Sequence, residues 1–301
     1  MNYDCAVKGE NISKKFKTFT LDIPDLRVPK GFATALIGEN GAGKTTLLNM
    51  LSGIRLDYKG ELTFFDKYSS EEKERRADVK NRIGYTGTGR YYLPQWTVSD
   101  VEEISSLLFD NFDRDEFERY CRELPDSPDG VALKKKCSAL SDGTRTKLML
   151  AGVMARDTDL LLLDEPASPL DPLMRDKLCQ MIGDYISDGA GEKSVLFSTH
   201  NISDMESITD YAIIMEHGNV VECGFVEDLK EKYILIKGDA QDAETASKIL
   251  YTMTKNPYGF EGICLAENLD KLAGMNVSKE IPSLFQISVA VMKNNTKMVL
   301  K

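Results

Sequence analysis

Gly38-Glu39-Asn40-Gly41-Ala42-Gly43-Lys44-Thr45-Thr46 is the stretch that says most about the fold of this 301-residue chain. It satisfies G-x-x-x-x-G-K-[ST], in which backbone N–H groups surround phosphate oxygens, the lysine neutralises charge and the hydroxyl binds Mg²⁺. Residues 32–37 are predicted to form a buried strand before the loop, and residues 45–51 a helix whose N-terminus faces the phosphates. An ordinary glycine-rich turn needs none of these flanks, so we expect all nine residues to bind a phosphate-bearing cofactor.

The overall composition is that of a soluble globular protein, with 42% hydrophobic and 29% charged residues. A net charge of −10 argues against a nucleic-acid partner, because non-specific binding requires a basic surface. Six cysteines without a C-x-x-C pair and only two histidines argue against a zinc site. The sequence shows neither a signal-peptide pattern nor an apolar run of roughly 20 residues, so we expect a cytoplasmic chain that reaches any membrane through a partner.

A second motif is Leu160-Leu161-Leu162-Leu163-Asp164-Glu165-Pro166. The four leucines are too few for a helix and predict a strand that is buried on both faces. Ligands of open α/β sheets bind beyond the carboxyl ends of such strands. We therefore expect Asp164 to hold the Mg²⁺ shell and Glu165 to orient or deprotonate an attacking water.

Three shorter motifs carry polar residues. Residues 194–200 are predicted to be another buried strand, and we expect His200 at its end to contact a γ-phosphate. Leu140-Ser141-Asp142-Gly143-Thr144-Arg145 opens a helix that one of its own polar side chains caps. His217, in the turn Glu216-His217-Gly218-Asn219, is expected to be simply a hairpin residue.

Phe16 has two interpretations that the residues alone leave open. It precedes the alternating apolar residues Phe19, Leu21 and Ile23, and so fits a core position. The alternative is an aromatic platform for adenine, since stacking of a base on an aromatic ring is worth about 1–3 kcal/mol in nucleic-acid systems.

The rest of the chain is organised around these motifs. Residues 1–37 look β-rich, and the block at about 86–155 has no strand pattern, which predicts a helical insertion in a parallel α/β core. Past Gly224 we expect a small α/β appendage without a chemical motif. Its predicted elements are a short amphipathic helix at 225–232, a strand at 233–236, a helix at 242–252 and a strand at 284–291.

The order of these motifs resembles the ATP-binding subunit of an ABC transporter, over about residues 3–225. The resemblance implies an α/β P-loop NTPase core of the ABC ATPase type with a β-rich N-terminal subdomain and a helical insertion. It implies an ATP-binding domain at 1–224 and a small C-terminal appendage at 225–301, which could dimerise the subunits or regulate them. ATP and Mg²⁺ are the cofactors that it implies.

The family mechanism implies that two subunits, identical or paralogous, pair head to tail around two ATP molecules. One chain would supply the main residues of each site, which are Lys44, Thr45, Asp164, Glu165 and His200. The other chain would supply Ser141 and the backbone of Gly143. Asp171, in Ser168-Pro169-Leu170-Asp171, matches the loop that links the two sites, and Phe16 matches the aromatic residue that stacks on adenine.

Several positions depart from the family pattern. Thr88 stands where the family has a glutamine that touches Mg²⁺ and senses the membrane domain, so Thr88 is our third candidate metal contact after Thr45 and Asp164. Asp142 and Thr144 replace a glycine and the glutamine of the Leu-Ser-Gly-Gly-Gln motif, and the linking loop carries Pro169. Because the main catalytic residues are all present, the resemblance predicts an active ATPase with an unusual coupling loop.

A single ATP-binding half without a membrane segment is similar to exporters whose membrane protein is a separate chain, including exporters of antimicrobial or toxic peptides. The chain would then lie on the cytoplasmic face of the membrane, bound to that subunit. The expected contact surface is residues 86–98 and the adjacent helices of the insertion. The apolar residues Tyr91, Tyr92, Leu93 and Trp96 of this segment either face the partner or pack onto the insertion. The alternative is a soluble ABC-type ATPase that acts on a cytoplasmic assembly.

Overall fold

A computed structural model describes residues 3–87, 91–123 and 134–299, except for the side chains of 296–299. The strands in these ranges are β1 (Cys5–Lys15), β2 (Thr20–Pro29), β3 (Ala33–Ile37), β4 (Lys59–Phe64), β5 (Tyr68–Ser69), β6 (Ile83–Thr86), β7 (Leu160–Leu163), β8 (Ser194–Thr199), β9 (Tyr211–Glu216), β10 (Asn219–Phe225), β11 (Tyr233–Asp239), β12 (Thr252–Asn256), β13 (Gly259–Leu265) and β14 (Val277–Glu280). The helices are α1 (Lys44–Ser52), α2 (Ser70–Arg75), α3 (Ala77–Asn81), α4 (Val98–Leu108), α5 (Arg114–Glu123), α6 (Asp142–Met154), α7 (Pro172–Asp188), α8 (Val226–Lys232), α9 (Ala243–Ala246) and α10 (Leu284–Val299).

The central sheet has the strand order β10-β9-β3-β8-β7-β6. The strands from β9 to β6 are parallel, and β10 pairs antiparallel with β9 at the edge. Every residue of β3, β7 and β8 is buried, as expected for a sheet that is covered on both faces. The leucine run of β7 divides its side chains between two cores, since Leu160 and Leu162 face one core and Leu161 and Leu163 face the other. The predicted strand is therefore confirmed.

Two layers cover the central sheet. On one face, leucines of α1 pack with β1 and β2, which belong to an antiparallel sheet of order β2-β1-β4-β5. On the other face lie α7 and the helices α4, α5 and α6, which follow β6 and precede β7. The β-rich N-terminal region and the helical character of the insertion agree with the sequence prediction, as far as the described residues extend.

The C-terminal region differs from the prediction in two elements. Residues 284–291 form the start of helix α10 and not a strand. The β-branched residues of this segment suggest a strand, but its buried residues Leu284, Ile287, Ala290 and Val291 recur at helical spacing. Ser283 and Gln286 also form a capping pair, in which Ser283 Oγ accepts from the Gln286 N–H and Gln286 Oε1 accepts from the Ser283 N–H.

The second difference is the predicted helix at 242–252. The structure has only the short helix α9 there, and the chain then enters β12 at Thr252. The strands of this region form a third sheet of order β12-β13-β11-β14, in which Thr252 pairs with Ile263 of β13. Local propensity predicts a helix up to residue 252, but pairing with β13 places Thr252 in a strand.

The C-terminal region shares its core with the central sheet. Tyr233, Ile263, Leu284 and Ile287 belong to the same hydrophobic cluster as Ile214 of β9. A smaller cluster, which includes Ile236 and Phe260, fills the other face of the third sheet. The domain limits 1–224 and 225–301 remain a prediction, and the packing indicates that α10 helps to stabilise the sheet beneath it.

We expect Leu284→Ala to lower the free energy of unfolding by about 2–5 kcal/mol, because it leaves a cavity between α10 and the main core. The same change at Leu173, which is 77% exposed on α7, should cost less than about 0.5 kcal/mol. Urea denaturation of the two variants measures the difference. Equal stabilities would mean that α10 contributes little to the core.

Candidate nucleotide-binding site

The phosphate loop joins β3 to α1 at the carboxyl end of the central sheet. Gly43 occupies the N-cap position of α1 with φ of 107°, a left-handed conformation that favours glycine. The N-terminus of α1, with its free N–H groups and positive dipole, therefore opens into the loop. The strand, loop and helix predicted from the sequence are all present.

Most residues of the loop line one cleft of about 750 Å³. The loop residues on its wall are Glu39, Asn40, Gly41, Gly43, Lys44, Thr45 and Thr46. Gly38 and Ala42 support the loop through their backbone oxygens: Gly38 O accepts from Lys44 Nζ at 2.7 Å, and Ala42 O accepts from the Gly218 N–H at 3.0 Å. The loop thus lines the cleft with hydrogen-bonding groups, among them the side chains of Lys44, Thr45 and Thr46.

Asp164 is the buried hub of the site. One of its oxygens, Oδ2, accepts from Thr45 Oγ1 at 2.9 Å, and the other, Oδ1, accepts from Ser198 Oγ at 2.6 Å. Ser198 Oγ also accepts from the Glu165 N–H at 2.9 Å. These bonds tie together α1, β8 and the end of β7, and so hold Asp164 and Glu165 in one geometry.

Glu165 connects the other two candidate catalytic side chains. Its Oε2 lies 2.8 Å from His200 Nδ1, and its Oε1 lies 3.3 Å from Lys44 Nζ. The backbone of Glu165 has φ of 50°, an uncommon left-handed conformation for a residue with a side chain. Such strain is often kept at functional sites, because the surrounding structure holds it. The five main residues of the expected site therefore lie close together: Thr45 contacts Asp164, and Lys44 and His200 both contact Glu165.

Phe16 lies half-buried on the wall of the same cleft. Its ring centroid is 5.7 Å from that of Phe19, and the guanidinium of Arg55 lies 5.2 Å from its centre. Phe19, and not Phe16, packs against the hydrophobic core. The position of Phe16 therefore favours the adenine platform over the core interpretation.

Ser141 and Asp171 both act as helix N-caps in this chain. Ser141 Oγ accepts from the Thr144 N–H at 3.1 Å at the start of α6, and Asp171 Oδ1 accepts from the Met174 N–H at 3.1 Å at the start of α7. Among the described residues that line the phosphate-loop cleft, neither Ser141 nor Gly143 is present. Ser141 and Gly143 are therefore not part of the wall of that cleft, whereas Asp142 lines a separate cavity together with Glu165 and His200.

Thr88 lies outside the described residues. The strand before it is connected to the site, because Thr86 O accepts from the Asp164 N–H at 3.0 Å. Tyr85 OH donates to Asn49 Oδ1 of α1 at 2.9 Å. Burial, together with the charge of Asp164, raises the pKa of Tyr85 to about 12, so its phenol keeps the proton that it donates.

Sequence reasoning missed two residues of the site. Ser198 lies on β8 beside Asp164, and it is one of three polar residues in this six-residue strand, so the sequence does not single it out. His217, expected to be only a hairpin residue, lines the phosphate-loop cleft together with Phe16. No sequence signal indicated His217, because its position depends on how the β9–β10 hairpin meets the loop.

The family model for ABC transporters matches residues 21–168 of the chain. Over these residues the chain carries the ATP-binding domain of the ABC transporter family. Among curated relatives, it is 29% identical over 223 residues to the energy-coupling factor transporter ATP-binding protein EcfA2 of Lactococcus lactis, covering 71% of this chain and 74% of that protein. It is also 29% identical over 228 residues to the sulfate/thiosulfate import ATP-binding protein CysA of Mesorhizobium japonicum, covering 74% of this chain and 64% of CysA.

Solved structures share the fold. The ATP-binding subunit of an ABC transporter superposes with a TM-score of 0.64 at 21% identity and covers 75% of this chain and 92% of its own. A dimeric bacterial ABC transporter cassette gives 0.62 at 19% identity, with 73% and 98% coverage. The fold of the ATP-binding cassette predicted from the order of the motifs is thus confirmed. The family match, which includes the phosphate loop and the Asp164–Glu165 pair, makes the chain an ATP hydrolase.

We expect Ser198→Ala to slow ATP hydrolysis by about 10- to 100-fold. The change removes the hydrogen bond to Asp164 and the acceptor of the Glu165 N–H, so both carboxylates can shift from their positions. The affinity for ADP should change by less than about threefold, because the phosphate loop is untouched. Steady-state ATPase assays and nucleotide titration measure the two quantities.

Thr34→Val is the matched control for this variant. Thr34 is a buried hydroxyl on the neighbouring strand β3, and within the described part of the chain its Oγ1 has no hydrogen-bond partner. Its loss should leave the hydrolysis rate unchanged. If Ser198→Ala hydrolyses ATP as fast as Thr34→Val, Ser198 does not position the carboxylates.

Proposed function

We propose that this chain is the ATP-hydrolysing motor subunit of an ABC transporter whose membrane-spanning subunit is a separate chain. The observation that carries the proposal is the cluster at the carboxyl ends of β3, β8 and β7. There, Lys44 and Thr45 of the loop meet Asp164, Glu165 and His200. This combination of a phosphate-binding cation, a hydroxyl–carboxylate pair and a carboxylate–imidazole pair suits phosphoryl transfer from ATP to water.

The residues present fit a bound Mg²⁺. Thr45 Oγ1 and Asp164 Oδ2 are hard oxygen ligands that already converge to 2.9 Å at the mouth of the loop. Mg²⁺ characteristically takes one or two protein oxygens and completes its shell with phosphate oxygens and water. We propose that Thr45 and Asp164 hold the ion, which would neutralise charge on the β- and γ-phosphates. The proposed contact of Thr88 lies outside the described residues.

Glu165 is the proposed base or water-positioning residue. The imidazole of His200 lies beside one of its oxygens, and the Lys44 ammonium is close to the other. Both contacts hold the carboxylate at the end of the phosphate loop, where the γ-phosphate of ATP would lie. An attacking water that donates a hydrogen bond to this carboxylate would lie between it and the phosphate. His200 would be available as a second hydrogen-bond partner.

A second ATP-binding chain completes the proposed site. Ser141 caps the N-terminus of α6, a 13-residue helix whose free N–H groups favour a negatively charged ligand. We propose that Ser141 and the Gly143 backbone bind the γ-phosphate held by the partner, and that Asp171 lies at the contact between the two sites. The dimeric arrangement of a solved cassette with the same fold supports this proposal.

The proposed contact with the membrane subunit involves the segment before α4. Tyr92 and Trp96 are partly buried and pack against the main core. Tyr91 and Leu93 are 46% and 49% exposed, so part of each apolar side chain is available to an apolar partner surface. Of these four apolar residues, only Tyr91 and Leu93 therefore remain candidates for the partner surface.

Export of peptides or other amphipathic compounds is the direction proposed from the sequence. One relative, CysA, is named for import of sulfate and thiosulfate, so the comparisons do not favour export. Cargo contacts would lie in the membrane subunit, and the identity of that subunit is what decides the direction. Within the described residues, no helix has the length and apolarity required to span a bilayer.

We expect Glu165→Gln to reduce hydrolysis of Mg-ATP by at least about 100-fold, because an amide cannot accept the proton of the attacking water. ATP binding should persist, and ATP should hold the variant as a dimer that size-exclusion chromatography detects. Glu71→Gln, which changes an exposed carboxylate of α2, is the control and should hydrolyse ATP at the wild-type rate. Hydrolysis by the wild type that Glu165→Gln leaves intact would contradict the assigned role.

We expect the double variant Tyr91→Ser/Leu93→Ser to lose most of the membrane protein that co-purifies with the tagged chain from native membranes. Two apolar side chains are then missing from the proposed contact, while the folded core is unchanged. Tyr258→Ser/Ile281→Ser removes two equally apolar exposed residues of the third sheet region and should co-purify with its partner as the wild type does. Recovery of the wild type only with a cytosolic complex would instead favour the soluble ABC-type ATPase.

A further inference from the structure

The turn between β9 and β10 forms part of the wall of the phosphate-loop cleft. The Gly218 N–H donates to Ala42 O at 3.0 Å, and Gly218 O accepts from the Asp22 N–H at 2.8 Å. Gly218 has φ of 86°, and a Cβ there would lie 2.0 Å from Thr20 O, so only glycine fits between the loop and β2. The turn is therefore fixed to the phosphate loop on one side and to the N-terminal sheet on the other.

Phe19 shows where along the cleft this turn lies. Its ring fills the space beside both Gly43 and Gly218, since a Cβ on either glycine would approach the ring to 2.9 Å or 3.1 Å. Gly43 is the N-cap of α1, where the phosphates would bind, and Phe16 is the proposed adenine platform. The turn consequently lies beside the part of the cleft between the phosphates and the base.

His217 is the side chain that this turn offers to the cleft. It is 71% exposed and lines the same cavity as Phe16, Lys44 and Thr45. Its φ of 47° belongs to the left-handed region, and its carbonyl oxygen accepts from Asn219 Nδ2 at 3.1 Å. An imidazole can donate hydrogen bonds to ribose hydroxyls or phosphate oxygens, which are the groups expected at this position.

Helix α10 braces the residue that precedes His217. Asn295 Nδ2 donates to Glu216 Oε2 at 2.7 Å, and the other oxygen of the buried Glu216 carboxylate lies 3.7 Å from His217 Nε2. The C-terminal region therefore reaches the edge of the nucleotide cleft through the hydrogen bond between Asn295 and Glu216.

We propose that His217 is a further nucleotide-binding residue, which donates a hydrogen bond to the ribose or α-phosphate of the bound nucleotide, and that Asn295 is a positioning residue for it. The proposal rests on the binding of ATP to the phosphate loop. It adds to that site the turn between β9 and β10, which is not part of any motif identified in the sequence. It also connects the C-terminal helix α10 to nucleotide binding, through Asn295 and Glu216.

Histidine NMR can test this inference, because the chain has only two histidines, His200 and His217. The full chain, labelled with ¹³C-histidine, is titrated with ADP and Mg²⁺, and His217→Gln assigns the signals. Since ADP carries the ribose and the α-phosphate, we expect the His217 imidazole signal to shift in parallel with binding. His217→Ala should raise the dissociation constant for ADP about three- to tenfold, as expected for the loss of one hydrogen bond.

Tyr258→Ala is the matched control, since Tyr258 is an exposed aromatic residue at the turn of the β12–β13 hairpin, and its ADP affinity should equal that of the wild type. Asn295→Ala should move the His217 signal of the nucleotide-free protein and weaken ADP binding less than His217→Ala does. An unshifted His217 signal at saturating ADP, with unchanged affinity of His217→Ala, would overturn the proposal while leaving ATP binding intact. A wild-type chain that binds no nucleotide would overturn the proposed function and this inference together.

Discussion

The parallel pairing of β3, β8 and β7 is the constraint on which the rest of the structure depends. Ile37 lies opposite Thr199, and Leu163 lies opposite Phe197, so these strands end at the same edge of the sheet. The phosphate loop, His200 and the Asp164–Glu165 pair each follow one of the three strands. Residues that are more than 100 positions apart in sequence are therefore brought within hydrogen-bond distance, as Thr45 and Asp164 show.

The buried polar groups at this edge are satisfied by one another. Asp164 would be costly to bury alone, and it is stabilised because Thr45 and Ser198 donate to its two oxygens. Ser198 in turn accepts from the backbone of Glu165, whose left-handed conformation aims its carboxylate at Lys44 and His200. The strained backbone of Glu165 is thus tolerated because several hydrogen bonds and ion pairs hold the residue in place.

The C-terminal region illustrates how an extension can be joined to such a site. Its helix α10 shares a core with β9 and also reaches Glu216, which precedes the turn beside the phosphate loop. A rearrangement of α10 would therefore act on both the sheet and the wall of the cleft. The same packing joins the residues past 224 to the main core, while the domain limits 1–224 and 225–301 remain a prediction.

The sequence alone determined the elements that depend on short, local patterns of residues. The phosphate loop, the leucine strand with its two carboxylates and the strand that ends at His200 each depend on short patterns, and the structure has all three. Only the tertiary structure placed Ser198 beside Asp164 and His217 on the wall of the cleft, since both positions depend on which strands and turns become neighbours. Likewise, the strand predicted at residues 284–291 is wrong. The β-branched residues favour a strand locally, but burial of Leu284 and Ile287 against the core selects helix α10. Local patterns specify local geometry, but contacts between distant segments depend on packing that no short window of sequence contains.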